Sequence, residues 1–322
     1  MFILVSRMYK YSKLFMFFLC LCVLIPELYT LGRTDSLAGE TVLRIGIMPD
    51  VNCLPLMVAR DEGFFIDEKI NVELINFTNA QERDAAIQAG RIDGASSDLL
   101  AAALFAAGGF PVKVTSLTNG RYGIVLSPSS SIKTLADLAG KRVGISANTV
   151  IQYTVEALFD AFDIPANAYE PVAVPRMPIR LEMVLLGQLD AACLPEPMLT
   201  AAIEQGGTLL STTDEISLVI GILLFSKEAL DNRLDDIKRF YKAYDRAAQK
   251  INAAPDAYRE YLVEKAAFPE QVKNAYNFVH YEKPALPEIS QIEKVLSWLG
   301  SRGLLTKSLN AGDLLDIRAI TE

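Results

Sequence analysis

Short apolar runs and amphipathic stretches alternate along most of the chain. The first set comprises two predicted strands, each followed by a predicted helix: Arg44–Met48, Leu54–Gly63, Asn71–Asn76 and Ala80–Ala89. A second set follows the same order: Arg142–Ser146, Thr149–Phe162, Tyr169–Val174 and Pro178–Leu186. Strands that alternate with helices are typical of a parallel-rich sheet covered by helices, so the pattern predicts an α/β fold.

The two sets are copies of one unit. Arg44-Ile45-Gly46-Ile47 resembles Arg142-Val143-Gly144-Ile145 at an offset of 98 residues, and Gly90-Arg91-Ile92-Asp93 resembles Gly187-Gln188-Leu189-Asp190 at an offset of 97. Repetition at a nearly constant offset indicates one supersecondary unit used twice. We therefore expect two α/β lobes, with both glycines ending helices and both aspartates in turns.

Two crossings are predicted to join the lobes. The polar cluster Ser127–Ser131 separates the copies, and the apolar stretch Ile216–Phe225 returns the chain. This predicts a two-strand hinge near Tyr122–Val125 and Val219–Leu223. Residues 39–121 and 222–322 would form lobe 1 and residues 122–221 lobe 2. The helical tail, with Trp298 on its apolar face, is expected to cap lobe 1.

The N-terminus has the pattern of an export signal. Basic residues precede the 12-residue apolar run Leu14–Ile25, which is shorter than the roughly 20 residues that a spanning helix needs. We interpret residues 1–38 as a signal peptide, with an uncleaved anchor as the alternative. Either interpretation predicts an exported protein.

Composition narrows the possible functions. The 322 residues carry a net charge of −8, which argues against nucleic acid as a partner. His280 is the only histidine, so no histidine cluster exists for a metal and one candidate remains for a catalytic pair. Outside the apolar run the cysteines are Cys53 and Cys193, interpreted as small buried hydrophobic residues rather than a disulfide.

Several short motifs carry a resemblance to a known family. They are Ala59-Arg60-Asp61-Glu62-Gly63-Phe64-Phe65, Gly90-Arg91-Ile92-Asp93, Asp137-Leu138-Ala139-Gly140-Lys141-Arg142-Val143-Gly144, Gly187-Gln188-Leu189-Asp190-Ala191, Glu196-Pro197, and Trp298-Leu299 with Gly303-Leu304-Leu305. In order and spacing the chain resembles periplasmic solute-binding proteins of ABC transporters, in the subfamily that binds sulfonates, taurine, nitrate and thiamine-pyrimidine precursors. The segment Pro49–Cys53 departs from this subfamily, since it lacks the usual aromatic residue.

The resemblance implies a two-lobe periplasmic-binding-protein fold of type II, with a small-molecule ligand held in the interlobe cleft by hinge closure. An ABC permease and its ATPase would be the partners, and the protein would be a monomer in the periplasm or on the outer face of the cytoplasmic membrane. No metal, no cofactor and no catalysis are expected. The favoured ligand is a small polar or heteroaromatic nutrient, followed by a sulfonate or other anion. The alternative is a cytosolic-type enzyme of pyrimidine or menaquinone biosynthesis on the same fold.

The predicted strand order places candidate ligand-binding residues at the carboxyl ends of strands, where open α/β sheets bind ligands. They are Asp50, Asn52, Asn79, Ser96, Ser97, Asn119, Arg121, Ser146, Asn148, Thr149, Arg176 and Glu196. Three groups have a structural alternative. Ser146–Thr149 could bind an anion or simply be capped by Asn148, Ser96–Asp98 could bind or cap, and Arg176 could bind an anion or be a solvated surface residue.

Overall fold

The computed structural model describes residues 42–321, which contain two five-stranded mixed sheets. The predicted signal segment lies outside the described residues. Sheet 1 has the order β2-β1-β3-β10-β4. Its strands are β1 Leu43–Ile47, β2 Val72–Asn76, β3 Gly94–Asp98, β4 Val112–Leu117 and β10 Gly221–Ser226. We refer to sheet 1 and its helices as lobe 1.

Sheet 2 repeats this plan in the order β7-β6-β8-β5-β9. Its strands are β5 Tyr122–Leu126, β6 Arg142–Ile145, β7 Glu170–Ala173, β8 Ala191–Pro195 and β9 Thr208–Thr212. We refer to sheet 2 and its helices as lobe 2. In each sheet the first three strands of the stated order are parallel to one another. The fourth strand, β10 in sheet 1 and β5 in sheet 2, is antiparallel to both of its neighbours. The predicted α/β class with two lobes is confirmed.

The repeat is visible in side-chain detail. Asp93 Oδ2 accepts the backbone N–H of Arg44 at 2.7 Å, and Asp190 Oδ2 accepts that of Arg142 at 2.8 Å. Gly90 has φ 64° and Gly187 has φ 69°, the left-handed conformation that ends a helix at low cost for glycine. The predicted turn role of both aspartates is confirmed.

Helices cover both faces of the sheets. Lobe 1 contains α1 Leu54–Asp61, α2 Phe64–Asp67, α3 Ala80–Gln88 and α4 Leu99–Ala107. Lobe 2 contains α5 Val150–Ala161, α6 Met177–Leu185 and α7 Met198–Glu204. The tail contains α8 Lys227–Asn232, α9 Leu234–Ala253, α10 Arg259–Glu264, α11 Val272–Ala275 and α12 Ile289–Ser301. None of the helices within residues 42–321 is both long and apolar enough to cross a membrane.

The 20-residue helix α9 anchors the tail on lobe 1. Its Phe240 ring stacks on Phe65 of α2 at a centroid distance of 5.6 Å and meets the edge of Phe225 of β10, also at 5.6 Å. Aromatic pairs at this spacing add to the energy of area burial. The tail nevertheless does more than cap lobe 1, since α11 packs on α7 of lobe 2.

A second tail contact with lobe 2 is polar. The Trp298 indole Nε1 of α12 donates to Glu156 Oε2 of α5 at 2.8 Å, and Arg302 forms an ion pair with the same carboxylate. Glu156 is only 4% exposed. The tail therefore packs on lobe 1 through α9 and also reaches lobe 2, where α12 contacts the buried carboxylate of Glu156.

The chain crosses between the sheets at residues 118–121 and 217–220. Both crossings are irregular segments that directly precede a strand, β5 or β10. Much of the predicted hinge falls instead inside strands, since Tyr122–Val125 belongs to β5 and pairs with β8 and β9. The hinge predicted near Tyr122–Val125 and Val219–Leu223 therefore overlaps β5 and β10, and the irregular segments 118–121 and 217–220 lie just before these strands.

Candidate functional site

A small cavity of about 50 Å³ lies between the lobes, where the carboxyl ends of the parallel strands from both sheets meet. Seven predicted site residues line it: Asp50, Asn52, Asn79, Ser96, Ser97, Ser146 and Thr149. Lobe 1 contributes most of the polar atoms. Lobe 2 contributes apolar side chains together with Ser146, Thr149 and Arg180. The position agrees with the general rule for ligands of open α/β sheets.

Polar lining residues are held in place as helix caps. Asp50 Oδ1 accepts the N–H of Asn52 at 2.8 Å, and Asn79 Oδ1 accepts that of Glu82 at 3.0 Å. Thr149 caps α5 by accepting the N–H of Ile151 at 3.3 Å. Each cap follows a strand end, so the same turn that begins a helix also directs a polar side chain toward the cavity. Capping and lining are therefore compatible roles for these residues.

Lobe 1 brings a buried arginine and two carboxylates to the cavity. The Arg83 Nη1 donates to the Ser96 carbonyl at 3.1 Å, and its Nη2 lies 2.7 Å from Asp84 Oδ1 and 3.9 Å from Asp98 Oδ2. Burial raises the pKa of Asp50 to about 6 and also raises the pKa of Asp98, with the Arg83 charge opposing both effects.

Lobe 2 brings Arg180, which is fully buried in the described structure. Its Nε donates to the Cys193 carbonyl at 2.9 Å and its Nη1 to the Val174 carbonyl at 2.7 Å. The Nη2 atom has no hydrogen-bond partner among residues 42–321. Burial lowers the pKa of Arg180 to about 10, so the group remains a cation at neutral pH.

The other five predicted site residues do not line the cavity. Arg121 and Glu196 form an ion pair at 2.6 Å, in which Glu196 is fully buried and also accepts the N–H of Thr200 at 3.1 Å. Asn119 accepts the backbone N–H of Glu282 at 3.1 Å. The remaining two are exposed: Asn148, with φ 57°, and Arg176 at the start of α6. The cap of α5 is Thr149, not Asn148.

Sequence reasoning overlooked three charged or aromatic residues that line the cavity, namely Arg83, Arg180 and Tyr122. The sequence predicts Tyr122 as a hinge residue. A usable signal existed for the arginines, because they are 97 residues apart and so occupy equivalent positions in the two repeats. Sequence reasoning considered only the loops after strands, and it missed both arginines because they lie on helices.

The cysteines and the histidine offer no paired nucleophile at the cavity. Cys53 and Cys193 are free and buried, as expected, and burial raises the pKa of both thiols. His280 is exposed, and its Nε2 lies 3.8 Å from Glu282. A thiol of raised pKa without a basic partner is a poor nucleophile at neutral pH.

Comparison with known proteins now assigns the family. A family model described as NMT1/THI5 like matches residues 50–258, more than half of the chain. The chain belongs to the NMT1/THI5-like family. A curated relative from Brachyspira hyodysenteriae, named as an ABC transporter periplasmic binding protein, is 23% identical over 259 residues, which cover 73% of each chain.

Solved structures show the same fold for this family member. The periplasmic aliphatic sulphonate binding protein SsuA of Escherichia coli aligns with a TM-score of 0.74 and 15% identity over 85% of this chain and 92% of its own. The nitrate-binding protein NrtA of Synechocystis PCC 6803 aligns with a TM-score of 0.68 and 16% identity over 88% of this chain and 85% of its own. The predicted resemblance to periplasmic solute-binding proteins is confirmed.

In this NMT1/THI5-like protein, the charged side chains that line the cavity are two carboxylates and two arginines, so their formal charges sum to zero. The charged lining residues are Asp50, Asp98 and Arg83 on the lobe 1 side and Arg180 on the lobe 2 side. Such a wall can bind a small polar molecule through charge-assisted hydrogen bonds from both lobes.

Proposed function

We propose that this protein is the exported solute-binding component of an ABC importer. It captures a small polar or heteroaromatic molecule between its lobes and delivers it to a permease, without changing it covalently. The observation that carries the proposal is a small cavity between the lobes, lined by charged side chains from both of them. Family membership and the name of the Brachyspira relative support the transport assignment.

Ligand capture would act through the lobe geometry. A solute that touches both lobes favours the closed arrangement in proportion to the contacts that only this arrangement offers. We propose residues 39–121 and 222–322 as one moving body and residues 122–221 as the other. The irregular crossings at 118–121 and 217–220 would absorb the rotation.

The proposed binding residues are the predicted ones that line the cavity. Ser97 is the sharpest of them for a test, because its Oγ is buried and has no hydrogen-bond partner among the described residues. Ser97→Ala removes one oxygen and leaves the fold undisturbed. Arg176→Ala is the matched control, since Arg176 is exposed and does not line the cavity.

Native mass spectrometry of protein purified from its source would identify a co-purified small molecule. We expect one solute per monomer, unchanged in mass after prolonged incubation, and a smaller radius of gyration in solution when it is bound. Ser97→Ala should weaken its binding about 3- to 10-fold, and Arg176→Ala should leave binding unchanged. Conversion of the solute to a product would support the enzyme alternative and overturn the proposal.

A further inference from the structure

Each lobe contains one buried arginine at the same position of the internal repeat. Arg83 on α3 and Arg180 on α6 are 97 residues apart, and each donates to the carbonyl of a strand residue at the same offset, Ser96 or Cys193. A methyl group added to Gly46 would lie 3.4 Å from Arg83 Cγ, and one added to Gly144 would lie 3.1 Å from Arg180 Cγ. Each arginine stem therefore packs against a glycine at the equivalent position of the first strand of its repeat, Gly46 of β1 or Gly144 of β6.

The counterions of the two arginines differ. Arg83 is paired with Asp84 and approached by Asp98. The residues at an offset of 97 from these acids are Leu181 and Pro195. Lobe 2 has thus kept the arginine and lost both carboxylates, and no Asp or Glu of the described chain forms an ion pair with Arg180.

Burying a cation without a counterion lowers the stability of the folded protein, and a bound anion can offset that loss. The two carbonyl acceptors of Arg180 leave its Nη2 without a partner. Arg180 is also the only charged residue among the described residues that form the lobe 2 side of the cavity, whereas the lobe 1 side has two carboxylates and one arginine. The two walls therefore carry opposite net charge.

We infer that Arg180 binds an anionic group of the solute, and that the excess carboxylate of the lobe 1 wall faces an amine or another N–H donor at the opposite end. The solute class is a small amphoteric molecule that carries a carboxylate or a sulfonate. This inference rests on the proposed function, because it names the chemistry of the same cavity. It also gives the solute an orientation, with its anionic end toward lobe 2.

Small probes separate the two poles. Glycine and aminomethanesulfonate carry both charges, acetate and methanesulfonate carry the anion alone, and methylammonium carries the cation alone. We expect wild-type protein to be stabilised against heat most by an amphoteric probe, less by the anions, and least by methylammonium. The stronger of the two amphoteric probes distinguishes a carboxylate site from a sulfonate site.

The decisive variant is Arg180→Met, and its matched control is Arg176→Met, at an exposed arginine four residues earlier, at the start of α6. Loss of Arg180 should weaken binding of the anionic probes about 10- to 100-fold and raise the melting temperature of the ligand-free protein. Arg176→Met should change neither. If Arg180→Met does not fold, Arg180→Lys decides the matter, since an ammonium keeps the charge but lacks the planar fork that places donors on two carbonyls and an anion at once, and should reduce anion binding severalfold.

The outcomes distinguish this inference from the proposed function. Equal anion binding by wild type and the Arg180 variants, or a neutral co-purified solute, would overturn the inference and leave the binding function intact. A protein that retains no co-purified solute and responds to none of the probes would overturn both.

Discussion

The sharpest prediction concerns Asp50, because burial imposes a cost on its charge. Burial raises its pKa from 3.8 to about 6. The folded protein therefore holds this proton more tightly than the unfolded chain does. Stability is unaffected by this group below about pH 4, falls as the pH rises toward about 6, and stays lower above it. At about 1.4 kcal/mol per pH unit, the penalty at neutral pH is about 3 kcal/mol.

Asp50→Asn should remove this penalty. The amide oxygen can still accept the N–H of Asn52, and Arg83 keeps Asp84 and Asp98 as counterions. At pH 7.5 the free energy of unfolding should therefore rise by about 1–3 kcal/mol, the lower values allowing for the weaker hydrogen bond that a neutral amide oxygen accepts. At pH 4 the variant and the wild type should be equally stable.

Urea unfolding followed by circular dichroism between pH 4 and pH 8 measures both quantities. Asp160→Asn, at an exposed position of α5, is the matched control and should leave the pH dependence unchanged. The reasoning is refuted if Asp50→Asn is less stable than wild type at pH 7.5, or if both proteins lose the same stability between pH 4 and pH 6. A carboxylate retained at this cost is consistent with a binding role, so the variant should also bind the solute more weakly.

Two further predictions concern the tail and the repeat. Glu156→Gln should lower the free energy of unfolding by about 1–3 kcal/mol and shift the emission of Trp298, the only tryptophan, because that indole donates to the carboxylate. Glu293→Gln, at an exposed position of α12, the helix that carries Trp298, should do neither. Gly144→Ala should cost about 1–3 kcal/mol in urea unfolding, since its methyl group would meet a leucine carbon at 2.6 Å. Gly300→Ala, with open space around it, should instead stabilise α12 by about 0.5–1 kcal/mol, and the opposite order of the two glycine variants would contradict the packing argument.

Local patterns were sufficient to predict the parts of the fold that depend on backbone geometry. A helix that ends at Gly90 or Gly187 needs a left-handed residue there, and a turn that follows needs an acceptor such as Asp93 or Asp190. The glycine conformation is a local demand, and each aspartate accepts a backbone N–H from the adjacent parallel strand in the same way in both repeats. The repeat of the unit then predicts the parallel strand order and the edge at which a cavity forms.

Side-chain partners across long sequence distances could not be read from the same patterns. Arg121 and Glu196 suggested binding residues by their loop positions, yet they are 75 residues apart and neutralise each other at 2.6 Å. The Trp298 contact with Glu156 spans 142 residues and joins the tail to lobe 2. Such pairs depend on how complete lobes pack, which is set by the sum of many core contacts rather than by any local motif.

The polar contacts of α5 connect the cavity loop to the tail. The backbone N–H of Asn148, beside the lining residue Thr149, donates to Gln152 Oε1 at 2.8 Å, and Gln152 Nε2 donates to Glu156 Oε1 at 2.9 Å. Glu156 in turn accepts the Trp298 N–H from the tail. Rotation of lobe 2 away from α12 would strip a buried carboxylate of its cationic and indole partners, which is unfavourable unless water replaces them. In the proposed closure, a solute that joins both lobes would act together with this bridge, and the balance between open and closed arrangements would depend on both.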